Sequence, residues 1–151
     1  MDEFNTIEKV QNLFASVNGL GNNNAFFVAS QDKQKVSGMV AGMEYPYDGL
    51  LINDNENGIG MFYLKAGALS GLITLSTPSK MTLDKEHYIF IPASNIKEVK
   101  IKNFALLNKK TKRIEINTID GKSHKLYAKV DEKDFPYQNE NFNKFVNKYS
   151  K

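Results

Sequence analysis

The sequence predicts a mainly β, α+β fold with an amphipathic helix near each end. Three observations lead there. Ile114-Glu115-Ile116-Asn117-Thr118-Ile119 alternates apolar and polar residues, breaks at Asp120-Gly121, and resumes as Lys125-Leu126-Tyr127-Ala128-Lys129-Val130, the pattern of a β-hairpin. Phe4, Ile7, Val10, Phe14 and Val17 recur at steps of three and four, which gathers them on one helical face. Phe142, Phe145, Val146 and Tyr149 form a second stripe of the same kind.

Taken in order, the first helix spans 1–18. Asp2 and Glu3 at its start complement the macrodipole, and Asn18-Gly19 ends it with residues that tolerate a left-handed backbone. Its stripe reads as core-packing. Residues 19–43 are the least legible: Gly19 to Asn24 is loop by composition, and Ala25-Phe26-Phe27-Val28 suits a short buried strand. Val36 to Met43 has no clean period, so helix and strand both stay open.

From Tyr47 the chain reads as strands. Leu50-Leu51-Ile52 and Ile59 to Leu64 flank Asn53-Asp54-Asn55-Glu56-Asn57-Gly58, read as a hairpin connection. Leu72-Ile73-Thr74-Leu75 suits a further strand stopped by Pro78, and His87 to Ile91 another closed by Pro92. In the next run Val99, Ile101 and Asn103 share one face while Lys100 and Lys102 take the other. Asn108 to Lys112 reads as a solvated hairpin tip. Pro136 sits ahead of the last helix, where it leaves the helix ladder intact.

The chain of 151 residues is 41% hydrophobic and 25% charged, the balance of one globular domain, 1–151, and a chain this long buries about two-thirds of its unfolded surface. With no Cys, disulfides, zinc-thiolate sites and thiol nucleophiles are excluded. The net charge of +3 is uneven: residues 1–79 carry −4, 80–130 carry +7, and 131–151 balance. Such asymmetry marks either an anion-facing surface or a solvated Lys-rich sheet face. Met1-Asp2-Glu3-Phe4-Asn5 is acidic where a secretory signal is basic, and Gly58 to Leu75 is too short and interrupted to span a membrane. A cytoplasmic location is therefore expected.

Asp48-Gly49-Leu50-Leu51-Ile52 through Phe62-Tyr63-Leu64, then Tyr88-Ile89-Phe90-Ile91-Pro92, Ile96-Lys97-Glu98-Val99-Lys100-Ile101, the Asp120-Gly121 hairpin and the closing helix together resemble a pleckstrin-homology-like (PH-like) domain. Phe104-Ala105-Leu106-Leu107-Asn108 and His124-Lys125-Leu126-Tyr127 are similar to phrases in small PH-like and GRAM-like proteins of low-GC Gram-positive bacteria. The resemblance covers 44–151. It implies a partly open barrel of two antiparallel sheets with a C-terminal capping helix, to which this chain adds its N-terminal helix. It also implies a binding scaffold, without settling what is bound. Members that bind inositol phosphates hold them with basic residues between their first two strands. Here the counterpart, Asn53 to Gly58, is acidic and Asn-rich, which counts against that site.

Catalytic signatures are not found. His87 and His124 stand apart in strand-like segments, and there is no G-x-S-x-G, H-E-x-x-H or P-loop. Gly58-Ile59-Gly60 starts like a dinucleotide fingerprint but carries Tyr63 at the third-glycine position. Asn53, Asn55, Asn57 and Gly58 have the spacing of a calcium loop, yet Leu64 stands where the bidentate carboxylate is needed. No cofactor, no metal site and no catalytic residue is expected.

The remaining candidate is basic. Lys100, Lys102, Lys109, Lys110, Lys112 and Arg113, with Lys97, Lys122, Lys125 and Lys129 on neighbouring strands, present cations to anionic lipid headgroups or nucleic acid. Nucleic acid is disfavoured, because only Phe104 and Tyr127 offer stacking platforms there and Trp is absent. The expected function is a non-enzymatic interaction module that binds anionic lipid peripherally; the alternative is a protein-binding or self-associating domain with no lipid ligand, and an enzyme of unknown reaction comes third.

Overall fold

A computed structural model of the chain describes residues 3–31, 47–65 and 81–150. Its elements are α1 (Ile7–Ser16), β1 (Ala25–Gln31), β2 (Tyr47–Asn55), β3 (Gly58–Lys65), β4 (Thr82–Pro92), β5 (Ile96–Ala105), β6 (Asn108–Thr118), β7 (Ser123–Lys129) and α2 (Gln138–Tyr149). The strands form one seven-stranded antiparallel sheet in the order β4-β3-β2-β1-β7-β6-β5. Chain neighbours pair from β1 to β4 and from β5 to β7. The short 3₁₀ turn at Ala93–Asn95 leads from one edge strand, β4, to the other, β5, and β1 pairs with β7 to join the two halves. The fold is thus mainly β, with one helix near each end. Val36 to Met43 and Leu72 to Leu75 lie outside the described residues.

Helix α1 begins later than 1–18 implied. Thr6 caps it: the Thr6 hydroxyl accepts from the Lys9 amide at 3.3 Å. Phe4 precedes the helix yet is fully buried, stacked on Phe135 with ring centroids 5.4 Å apart. The C-terminus closes as expected, with Asn18 at φ 56° and the Gly19 amide donating to Phe14 O at 2.7 Å.

Strands β1 and β2 are buried on both faces because the sheet there has a core on each side. Ala25, Phe27 and Ala29, with Leu50 and Ile52, face a core completed by Ile114, Ile116, Leu126, Phe142 and Phe145. Phe26, Val28 and Leu51 face the other way, onto Phe4, Val10, Phe14, Phe62 and Leu64. The first core belongs to α2 and the second to α1. This explains the continuous apolar runs Ala25–Ala29 and Leu50–Ile52, which lack the alternation of a strand with one wet face. The two edge strands, β4 (Ile89, Ile91) and β5 (Ile96, Val99, Ile101), pack on the same α2-side core, so the sheet curls around it.

The Asn53–Gly58 connection is shorter than its composition suggested. Asn53, Asp54 and Asn55 continue β2 and are buried; only Glu56 and Asn57 turn, with Gly58 at φ 143°. The reason is that their polar groups, the Asn53 Oδ1 atom excepted, find partners inside. Asn53 and Asn55, on the α1 side, donate to Gly19 O at 3.0 and 2.9 Å and to Asn24 Oδ1 at 3.0 and 3.1 Å. Asp54, on the α2 side, accepts from Lys148 Nζ at 3.0 Å and Tyr149 Oη at 2.7 Å. Burial pushes the Asp54 carboxyl above its ordinary value, while those two bonds pull it back.

Pairing between β1 and β7 is brief, covering Ser30↔Tyr127 and Gln31↔Leu126. Where the strands part, α2 supplies side-chain amides. Gln138 accepts from Val28 N at 2.9 Å and donates to Val28 O at 3.1 Å and Lys129 O at 2.8 Å; Asn141 accepts from Phe26 N at 3.0 Å. Below them, Phe142 and Phe145 rest on Phe27 at centroid distances of 5.0 and 4.8 Å.

Two outcomes follow for stability. Phe145→Ala removes about 3–5 kcal/mol and lowers Tm by about 10 °C or more, whereas Asn147→Ala on the exposed side of α2 stays within about 0.5 kcal/mol of wild type; thermal unfolding distinguishes them. Gln138→Met keeps the bulk but strands the Val28 amide and carbonyl, at about 1–3 kcal/mol for each buried group. Urea unfolding of Gln138→Met at wild-type stability would show that solvent reaches this seam.

Candidate functional site: the outer face of the last three strands

Cross-strand partners share a face, so the registers sort the basic residues directly. Ile101, Ile114 and Leu126 form an inward row, as do Val99, Ile116 and His124. The outward rows between them are Lys102–Arg113–Tyr127 and Lys100–Glu115–Lys125, followed by Glu98–Asn117–Ser123. Lys100, Lys102, Arg113 and Lys125 thereby surround a shallow groove of about 260 Å³ whose walls also include Glu115 and the edges of Ile114 and Leu126.

Lys112 is not part of that groove. It pairs with Asn103 and Ala128, the latter buried in the inner core, and its ammonium donates to Asn103 Oδ1 at 2.6 Å. Beyond Lys112 the pairing with β5 shifts register between Asn103 and Ala105, so strict alternation does not carry on through Lys110 and Lys109. Of the six candidate cations, Lys100, Lys102 and Arg113 therefore stand together, Lys112 takes the other face, and Lys109 and Lys110 lie in the irregular stretch next to the hairpin turn. The expected tip at Asn108 to Lys112 is instead strand, and the turn is Leu106-Leu107.

The groove is electrostatically mixed. Glu115 lies 3.1 Å from Lys125 and 3.8 Å from Lys100, and Lys100 also reaches Glu98 at 3.6 Å. Hydrogen bonds from Asn117 and Lys125 hold the Glu115 carboxyl below the usual carboxylate range. Four cations around one carboxylate leave the lining at a formal +3. Next to it the Arg113 guanidinium lies 5.6 Å over the Tyr127 ring, and Phe104 meets that ring edge-on at 5.2 Å. Sequence reasoning placed these aromatics in the region but missed Glu115 as the patch's internal counter-charge. The signal was its position midway along an alternating strand, opposite Lys100 and Lys125.

A second cavity of about 310 Å³, lined by Asn23, Ala25, Asp54, Glu56, Lys144 and Lys148, is satisfied from within. Glu56 accepts from the Asn22 and Asn23 amides at 2.6 and 3.0 Å, Lys144 donates to Asn24 O at 2.8 Å, and Lys148 holds Asp54. These contacts tie the end of α2 to the β2–β3 hairpin, a structural task.

The histidines stay apart from both. His87 sits on the irregular stretch of β4, stacked on Tyr63 at 4.8 Å and 3.8 Å from Asp84. His124 is half-buried beside Ile116, and burial lowers its pKa, followed by repulsion from Lys122. Among the described residues no group of three or more His, Cys, Asp or Glu side chains is placed to hold a metal ion, and no helix is long and apolar enough to cross a membrane.

Comparison with family models, with curated proteins and with solved structures finds no match to this chain.

Glu115→Gln removes the counter-charge without changing side-chain size. The variant should elute from a heparin column at higher salt than wild type, with Tm within about 2 °C because the pairs are solvent-screened. Elution at lower salt would show that Glu115 organises the cations rather than neutralising them.

Proposed function

We propose that this chain is a non-catalytic, PH-like interaction module, acting in the cytoplasm, that docks peripherally on anionic lipid headgroups through the outer face of β5, β6 and β7. The PH-like reading draws support from the succession of antiparallel hairpins, the C-terminal helix on the inner face, and the shared core of the two edge strands, the features of a partly open barrel. Helix α1 is the addition, covering the opposite face of β1–β3.

The observation that carries the lipid reading is the convergence of Lys100, Lys102, Arg113 and Lys125 on one groove. Each basic residue near an anionic leaflet contributes about 1 kcal/mol, so a net +3 amounts to about 3 kcal/mol, roughly a hundredfold enrichment at the surface. That is enough for reversible residence. The shallow groove and its mixed lining suit headgroup phosphates held at the surface better than a small substrate, which wants a deep and mostly apolar pocket.

Sedimentation with phosphatidylserine–phosphatidylcholine vesicles tests this directly. Wild type should pellet at low ionic strength and be released as salt shortens the Debye length. Lys102→Glu combined with Arg113→Glu should lose most of that retention, whereas Lys9→Glu on α1 should keep it. Absence of retention at low salt would replace this reading with a protein-binding or self-associating one.

A further inference from the structure

The described hairpin turns of this sheet are built from different materials. Glu56-Asn57 leads into Gly58 at φ 143°, and Asp120 is followed by Gly121 at φ 93°, both with residues a tight turn favours. The β5–β6 turn instead consists of Leu106 and Leu107, between the paired Ala105 and Asn108. Neither leucine adopts a positive φ, and neither packs: they are 90% and 95% exposed. Phe104, 45% exposed, stands just behind them. Two leucines held in water at a turn give the fold nothing that Asn-Gly would not give more cheaply.

Their surroundings point to what takes them up. Between Val99 and Ile114 the hairpin carries six cations, Lys100, Lys102, Lys109, Lys110, Lys112 and Arg113, and no acidic residue. Lys109 and Lys110 follow Leu107 by two and three residues, about 7–10 Å along an extended strand. The polar layer over each side of a bilayer's hydrocarbon core is about 5–8 Å thick. With the leucines at the acyl boundary, both lysines therefore reach the level of the lipid phosphates. The apolar tip consists of two leucines with one half-exposed phenylalanine behind them, whereas a stable protein partner buries about 800 Å² per side.

We propose that Leu106 and Leu107 form a wedge that inserts into the interfacial layer of an anionic bilayer, with the flanking lysines bound to the headgroups. This rests on the lipid-docking reading and deepens it: the basic face supplies attraction, and the wedge supplies orientation and residence. The sheet then meets the membrane at a tilt, with the outer face of β5–β7 toward the headgroups and the Leu106-Leu107 turn entering first.

The chain contains no Trp, so Leu106→Trp and Leu107→Trp each install a single indole that can be excited apart from the tyrosines. On phosphatidylserine–phosphatidylcholine vesicles, emission of both variants should shift to the blue and be quenched by lipids brominated on the acyl chain. The double variant Leu106→Asn, Leu107→Gly should fold with a wild-type circular dichroism spectrum and lose about tenfold or more in vesicle affinity, the scale of one leucine's transfer from water. It should keep wild-type elution from heparin. Vesicle binding with emission unchanged from water would overturn the wedge while leaving headgroup docking intact. Failure to pellet at low salt would overturn both. A concentration-dependent blue shift without vesicles would assign the tip to a second copy of this chain and end the membrane proposal.

Discussion

Much of this structure depends on how β1 satisfies its second edge. One edge pairs with β2 along nearly the whole strand, but the other meets β7 for only two residues. Buried backbone groups cannot be left unpaired, and the rest of that edge runs through the interior. The side chains of Gln138 and Asn141 replace the missing strand, meeting Phe26 and Val28 from α2. Gln138 also holds Lys129 of β7, so one amide bridges the seam where the sheet divides. A helix is thereby joined to a sheet through backbone hydrogen bonds as well as apolar contact.

That junction decides where both cores lie. Once α2 occupies the seam, Phe142 and Phe145 fall on Phe27, and residues from β2, β3, β6 and β7 gather around them. The opposite face of β1–β3 is then exposed apolar surface, and α1 covers it, with Tyr137 Oη donating to Phe4 O at 2.6 Å to fasten the N-terminal segment to the residues before α2. Burial pushes the Tyr137 phenol well above its ordinary value. The chain's two ends are therefore packed through one contiguous structure, and β1 is its middle layer.

The outer face of β5–β7 is arranged differently. It has polar and charged rows where β1 and β2 have apolar ones, since no helix among the described residues covers it. Glu98 and Glu115 partly balance its cations toward the middle of the strands, and between Val99 and Ile114 the β5–β6 hairpin itself carries basic residues and no acidic one. Charge thus grows along the hairpin in the direction of its exposed apolar tip. A surface graded this way has a preferred orientation against an anionic plane, which a uniform basic face lacks.

How much of this was legible beforehand follows from the range of the forces concerned. Periodicity and turn chemistry are local, and they sufficed for the Asp120-Gly121 hairpin, the alternation of Val99 and Ile101 with Lys100 and Lys102, both amphipathic stripes, and the Asn18-Gly19 stop. The mainly β class with flanking helices was therefore determined by sequence alone. Tertiary structure decided the rest. Asn53, Asp54 and Asn55 look like a loop because such residues are usually solvated, and they extend a buried strand only because Gly19, Asn24, Lys148 and Tyr149 arrive from distant positions to bond them. Six cations close in sequence look like one patch. Strand register sends Lys112 inward and sets Glu115 among the others, and register depends on which strands pair, a property no local window contains.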